Sequence, residues 1–390
     1  MRPDILALCL AGCVSLSPVA SAASAPASLG FDAAALARLD ADISAGKYGH
    51  VDSLLILRHG KTTFDHVYQQ DYRAIYGAEA RKAQALNGLD PGGASNYFNP
   101  WWYPYYRNQG QLHTLQSVTK TVDSIIIGIA LTRGEFPSID TPVLKFFDAG
   151  TVANVDDRKR HLTIRHLLNM TTGVTWNSDV PYSDASNSAT QLEESFDWQK
   201  YFIDQPMAEE PGTHFNYNDG APQALAYIFR KATGQDLEEY AAEHLFAPLG
   251  ITSWFWKRTP QGVPDGEGGL YLDRHDLAKL MLLYLHNGAW NGTQIVSPEW
   301  VKASLTPAIK VEDKEFPGRY YAYLWWFFPY GDGDSRLAFG GAGFGGQRPL
   351  VLRDEDIVIV ANGWNILDGS PLSGEELTRR IRAALVHPEL

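Results

Sequence analysis

The run Gln116-Ser117-Val118-Thr119-Lys120-Thr121 opens a stretch, Val122 to Leu131, that is too apolar to cover a protein surface. Gly134 follows as a stop signal, so the pattern predicts a buried central helix with the rest of the chain wrapped around it. Residues three apart share a helix face. Ser117 and Lys120 therefore stand together at the helix N-terminus, where backbone N–H groups are unpaired. A serine hydroxyl is a poor nucleophile until a neighbour takes its proton. A lysine does this when burial and the positive helix end depress its pKa toward neutrality. Ser-x-x-Lys alone is a loose pattern, but a lysine inside an apolar helix is costly without a partner or a task.

With 390 residues, 45% of them hydrophobic and 12% aromatic, the chain has material for one large domain or two interleaved ones. Its formal net charge of −12 argues against nucleic acid and anionic membranes as partners. Arg2, the apolar run Ile5 to Val14 and the small residues Ala20-Ser21-Ala22 read as an export signal over residues 1–22, which implies a periplasmic or secreted protein. Cys9 and Cys13 both lie in this segment, so the mature chain is left without disulfides or thiol chemistry. Leu10-Ala11-Gly12-Cys13 also fits a lipoprotein cleavage box, with lipid anchoring through Cys13 as the alternative. No other stretch has the length of a membrane span.

After a linker and helix over 23–50, Ser53 to Arg58 and Thr62 to Tyr68 read as a hairpin around His59-Gly60-Lys61. Tyr321 to Phe328, Arg348 to Leu352 and Ile357 to Ala361 are strand-like, and a final helix runs from Gly374 to about Val386. The expected fold is α/β: an antiparallel sheet built from both termini, flanked by helices, with a mostly helical insertion over about 135–290 inside a unit spanning 51–386. Short apolar helices are expected over Leu162–Met170, Ala221–Thr233 and Asp276–Leu285. The aromatic, proline-broken segment 96–106 reads equally as a loop packed by its own rings or as a lid offering apolar faces to a substrate. Tyr217, in a short loop before a buried helix, is suited to chemistry, although a tyrosine there can also simply pack its ring.

Seven short motifs then appear in order. They are Ser117-Val118-Thr119-Lys120, His166 to Gly173, Phe215-Asn216-Tyr217-Asn218, Ala247 to Gly250, Gly268-Gly269-Leu270, Ser297 to Trp300, and Gly343 to Gln347. Together they resemble the serine beta-lactamase-related hydrolases: class C beta-lactamases, D-Ala-D-Ala peptidases, family VIII esterases and, closest in look, 6-aminohexanoate-dimer hydrolases. The resemblance implies a beta-lactamase/transpeptidase-like fold. It also implies Ser117 as the acylated nucleophile, Lys120 as its proton acceptor, and Tyr217 as the relay to the leaving group. It implies an oxyanion hole from the Ser117 N–H and one near Phe344-Gly345, with Gly346 and Gln347 bordering the substrate and the Trp176 ring beside the site.

Two departures stand out. Asp219 follows Tyr217-Asn218 where many relatives carry asparagine, and Leu337 to Gly341 lacks the cation that anchors a beta-lactam carboxylate. Weak or absent beta-lactamase activity is therefore expected. The leading expectation is an exported serine esterase or amidase acting on a small ester, amide or short peptide, with no cofactor and no metal. A D-amino-acid or cell-wall peptidase is the second reading. A penicillin-recognising receptor that acylates without turnover is the third, and no oligomeric state is implied.

Overall fold

The structure, a computed structural model, describes residues 26–386 apart from 84–85, 87–95, 109–110, 149, 313–316, 331–335 and 368–371. The export-signal reading, with Cys9 and Cys13, lies outside the described residues.

The hairpin forms from Val51–Arg58 and Lys61–Val67, reversing at His59 and Gly60, which both take positive φ. The other edge of Val51–Arg58 pairs antiparallel with Ile357–Gly363, with Val51 opposite Gly363 and Arg58 opposite Ile357. Beyond it come Arg348–Leu352, Arg336–Gly340, Trp325–Tyr330, Tyr320–Ala322 and Ile309–Lys310, giving one eight-stranded antiparallel sheet from the two ends of the sequence.

Side chains alternate across a strand, and here both faces are apolar. Leu55, Leu57, Val351, Val358 and Val360 meet the helical part of the chain. Leu54, Ile56, Leu350, Leu352, Ile357 and Ile359 face the other way, against Leu36, Leu39 and Ile43 of the helix Ala33–Ser44 and Leu377 and Ile381 of the helix Gly374–Ala383. The sheet is thus the middle of three layers.

One expected strand is two. Between Tyr320–Ala322 and Trp325–Tyr330 the chain reverses at Tyr323 and Leu324, with φ of 42° and 69°. Neither residue favours that conformation. It is held from outside: the Tyr323 N–H donates to Asn169 Oδ1 at 3.0 Å, the Leu324 N–H to the Leu168 carbonyl at 2.9 Å, and Thr121 Oγ1 to the Leu324 carbonyl at 3.0 Å.

The helix Val118–Thr132 runs through the middle of the helical layer, buried from Val118 to Ala130 as its composition requires. Gly128 lets the Trp300 ring lie against its backbone; a Cβ there would fall 2.1 Å from Trp300 Cδ1. The ring is also stacked on Tyr323 at 5.2 Å, and its Nε1 donates to the Ser124 carbonyl. Among the described residues no helix is long and apolar enough to cross a membrane.

Gly128→Ala sets two effects against each other. Helix propensity favours alanine by about 1 kcal/mol, while overpacking a held ring costs roughly 1–3 kcal/mol. Sterics should win, so the variant is expected to unfold at lower temperature in calorimetry. An unchanged or raised midpoint would contradict this packing.

Candidate active site

Ser117 sits at the N-cap of the buried helix in helical conformation. The preceding residue, Gln116, is forced to φ 48°, a sharp corner that presents Ser117 at the helix mouth. The corner is braced from two sides. The Leu115 N–H donates to the Leu270 carbonyl at 2.9 Å in the small sheet of His113–Thr114, Leu270–Leu272 and Phe255–Trp256. From the large sheet, Gly343 comes so close that a Cβ on it would lie 2.5 Å from the Leu115 carbonyl oxygen.

Lys120 lies one turn on and is almost fully buried. Its Nζ donates to Ser117 Oγ at 2.8 Å and to the Glu267 carbonyl at 2.6 Å, and ion-pairs with Asp219 Oδ1 at 2.7 Å. It also lies 5.2 Å from the centre of the Tyr217 ring. Two of these oxygens accept hydrogen bonds from the ammonium, and the third, on Asp219, supplies the opposite charge. Here the sequence expectation needs correcting. Burial does push the Lys120 pKa down, but the Asp219 carboxylate, with Tyr217 and Glu267, more than reverses it, so Lys120 rests charged and well above its ordinary range. Tyr217 is raised chiefly by burial, against the pull of Lys120, and keeps its phenolic proton at neutral pH. Asp219, at the N-cap of Gly220–Thr233, is therefore a direct partner of the lysine.

Of the remaining expected residues, Phe344 lines a cavity together with Ser117. Neither its backbone N–H nor that of Ser117 donates to any group among the described residues. Gly345 and Gly346 take φ of 81° and 117°, conformations that need glycine. Gln347 does not border the substrate space: it is fully buried, and its Nε2 donates to the Phe344 and Gly363 carbonyls at 3.0 and 2.7 Å. Trp176 is likewise in the core, packed on Tyr201 and Phe202 and absent from the cavity wall. Its carbonyl accepts from Asn216 Nδ2, so it braces the loop that carries Tyr217.

The Beta-lactamase family model matches residues 51–365. The chain belongs to the Beta-lactamase family. A monacolin J acid methylbutanoyltransferase from Aspergillus terreus is 30% identical over 156 residues, 37% of this chain and 37% of its own length. A 6-aminohexanoate-dimer hydrolase from Paenarthrobacter ureafaciens is 23% identical over 272 residues, 65% of this chain and 66% of its own. In both cases less than two thirds of the relative is spanned. Among solved structures, EstCE1, described as a hydrolase with promiscuous acyltransferase activity, superposes with a TM-score of 0.65 at 17% identity, over 93% of this chain and 99% of that one. At that identity the likeness shows the fold. Relatives in this family are thus hydrolases and acyltransferases, and the second class was not among the sequence expectations.

Sequence reasoning missed most of the cavity wall. Besides Ser117 and Phe344 it is lined by Tyr97, Tyr103, Tyr182, Glu193, Asp265 and Glu267. Tyr97 and Tyr103 come from the aromatic segment, which is packed onto the domain by its rings as one of the two readings expected. Tyr103 stacks on Trp364 at 5.0 Å and Tyr106 on Phe255 at 3.8 Å, and the same loop walls the cavity. Asp123, three residues after Lys120, is wholly buried, and neither carboxyl oxygen has a hydrogen-bond partner among the described residues. Burial, which outweighs Lys120, keeps it protonated. Among the described residues no group of three or more His, Cys, Asp or Glu is arranged to hold a metal.

Asp219→Asn removes the largest of the charges that raise Lys120 against its burial. The Lys120 pKa should fall, so the rise of Ser117 reactivity with pH should move to lower pH than in the parent. The rate of fluorophosphonate labelling across pH measures this, and an unmoved profile would remove Asp219 from control of the lysine.

Proposed function

We propose that this protein is an exported serine hydrolase that cleaves an ester or amide of a small molecule through an acyl-enzyme on Ser117. The observation that carries the reading is a hydroxyl bonded to a buried lysine at 2.8 Å, on a cavity lined by Ser117 and Phe344, whose backbone N–H groups have no partner among the described residues. In the resting site Lys120 is an ammonium. Passing one proton to the Asp219 carboxylate leaves an amine, which accepts the Ser117 proton as Oγ attacks the substrate carbonyl. The developing oxyanion takes the N–H groups of Ser117 and Phe344. As the carbon–oxygen or carbon–nitrogen bond breaks, the protonated Tyr217 gives its proton to the leaving group and is recharged from Lys120. Water then repeats the sequence on the acyl-enzyme and releases the acid.

The acyltransferases among the relatives support a second outcome of the same intermediate, in which an alcohol or amine takes the acyl group in place of water. A beta-lactam has less to hold it, because Leu337 to Gly341 offers no cation and Asp219 is held by Lys120.

Intact mass after fluorophosphonate treatment should show one adduct on the parent and none on Ser117→Ala; labelling of both, or of neither, would overturn the assignment. Lys120→Ala and Tyr217→Phe should each lower turnover about a hundredfold or more. Full activity in Tyr217→Phe would take the phenol out of the mechanism.

A further inference from the structure

The sheet face that meets the helical layer turns polar at one end. Leu55 and its cross-strand neighbour Val360 point into that layer. Two residues further along each strand, alternation puts Ser53 and Asn362 on the same face. Ser53 lies opposite Asn362 on one side and Val67 on the other, so three neighbouring strands set these side chains in one row. Ser53 and Asn362 are each 3% exposed. Asn362 Oδ1 has no hydrogen-bond partner among the described residues, a costly state for a buried carbonyl oxygen.

The row lines a cavity of about 130 Å³ that shares no wall residue with the one beside Ser117. Its other walls are Gln111, Arg274 and Tyr105, whose ring stands edge-on to His113 at 4.9 Å. Such a space holds one molecule of roughly six or seven heavy atoms.

The walls are polar, but their charges are already answered. Arg274, the first residue of the helix Arg274–Leu285, donates from Nε and Nη2 to the Asp65 carboxylate at 2.7 and 3.2 Å, and from Nη1 to Gln111 Oε1 at 2.9 Å. His113 is buried, with Nε2 2.9 Å from Asp52 Oδ2 and Nδ1 2.9 Å from the Thr114 carbonyl. An anion would meet a guanidinium that is already paired, and a cation would meet no carboxylate in the wall. The group left wanting a partner is the Asn362 carboxamide, which sets an acceptor beside a donor. A second carboxamide answers both atoms at once, giving an N–H to Oδ1 and a carbonyl to Nδ2.

We propose that this cavity is a binding site for a small neutral primary carboxamide, separate from the site at Ser117. Its specificity comes from Asn362, and its size limit from the ring of Tyr105 and the side chain of Val67.

Fluorine NMR of trifluoroacetamide with the parent protein tests the assignment. The ligand line should broaden saturably on binding and sharpen again under excess acetamide. Trifluoroacetate, of like size but with no N–H to give and a charge to desolvate, should bind about tenfold more weakly or worse. Asn362→Ala removes the carboxamide, and Val67→Trp fills the cavity from an exposed position on the edge strand. Each should weaken trifluoroacetamide several-fold or more, and if Asn362→Ala fails to fold, Val67→Trp decides. Absence of saturable broadening would leave the cavity to water and overturn the proposal. Equal binding of amide and acid would refute the ligand class, and binding untouched by the variants would refute the site.

Discussion

The three-way anchoring of the Lys120 ammonium is the interaction on which the site depends. A buried amine costs several kcal/mol to desolvate unless each of its protons finds an acceptor. Here Ser117 on the same helix and the carbonyl of Glu267 in a distant turn accept hydrogen bonds, and Asp219 at the head of another helix supplies the opposite charge. Each of those elements is fixed to the others through one charged atom. The same contacts that lower the cost of burying the lysine also hold the serine hydroxyl in place, so stability and chemistry draw on a single arrangement.

That arrangement needs a rigid frame, and the doubly buried sheet supplies it. The strand Val51–Arg58 is buried along its length, so both of its faces and both of its edges are specified. The turn Gly343 to Gln347 follows from the sheet and reaches the Ser117 corner with no room for a side chain at Gly343. Gln347 ties the turn back to Gly363, and among the described residues the Phe344 N–H has no partner.

The central helix, the pairing of Ser117 with Lys120 and the sheet built from both termini were legible because their signals are local: a long apolar run, a three-residue spacing and alternation within strands. The charge state of Lys120 was not, because the carboxylate that sets it lies 99 residues away in the sequence. The reversal at Tyr323 and Leu324 was hidden for a related reason. No glycine or asparagine marks it, and its left-handed backbone is imposed by Leu168, Asn169 and Thr121. Glu193 lies in a polar stretch that resembles ordinary surface until Tyr97 is folded onto it. Tyr217 stood out by its motif more than by its physics, since a loop tyrosine before a helix is commonly just packed.

The pairing of Val51–Arg58 with Ile357–Gly363 also governs when this molecule can exist at all. Contacts between the ends of a chain form late and slowly, because the whole intervening loop must be closed first. A polypeptide still being made has its first hairpin but lacks the strand that flanks it and the glycine turn that abuts the serine. It therefore holds an unfinished sheet edge and no assembled site, whatever its helices have done. The proposed reactivity of Ser117 is in this sense a property of the folded whole, since its site is assembled only when the strand Ile357–Gly363 closes beside Val51–Arg58.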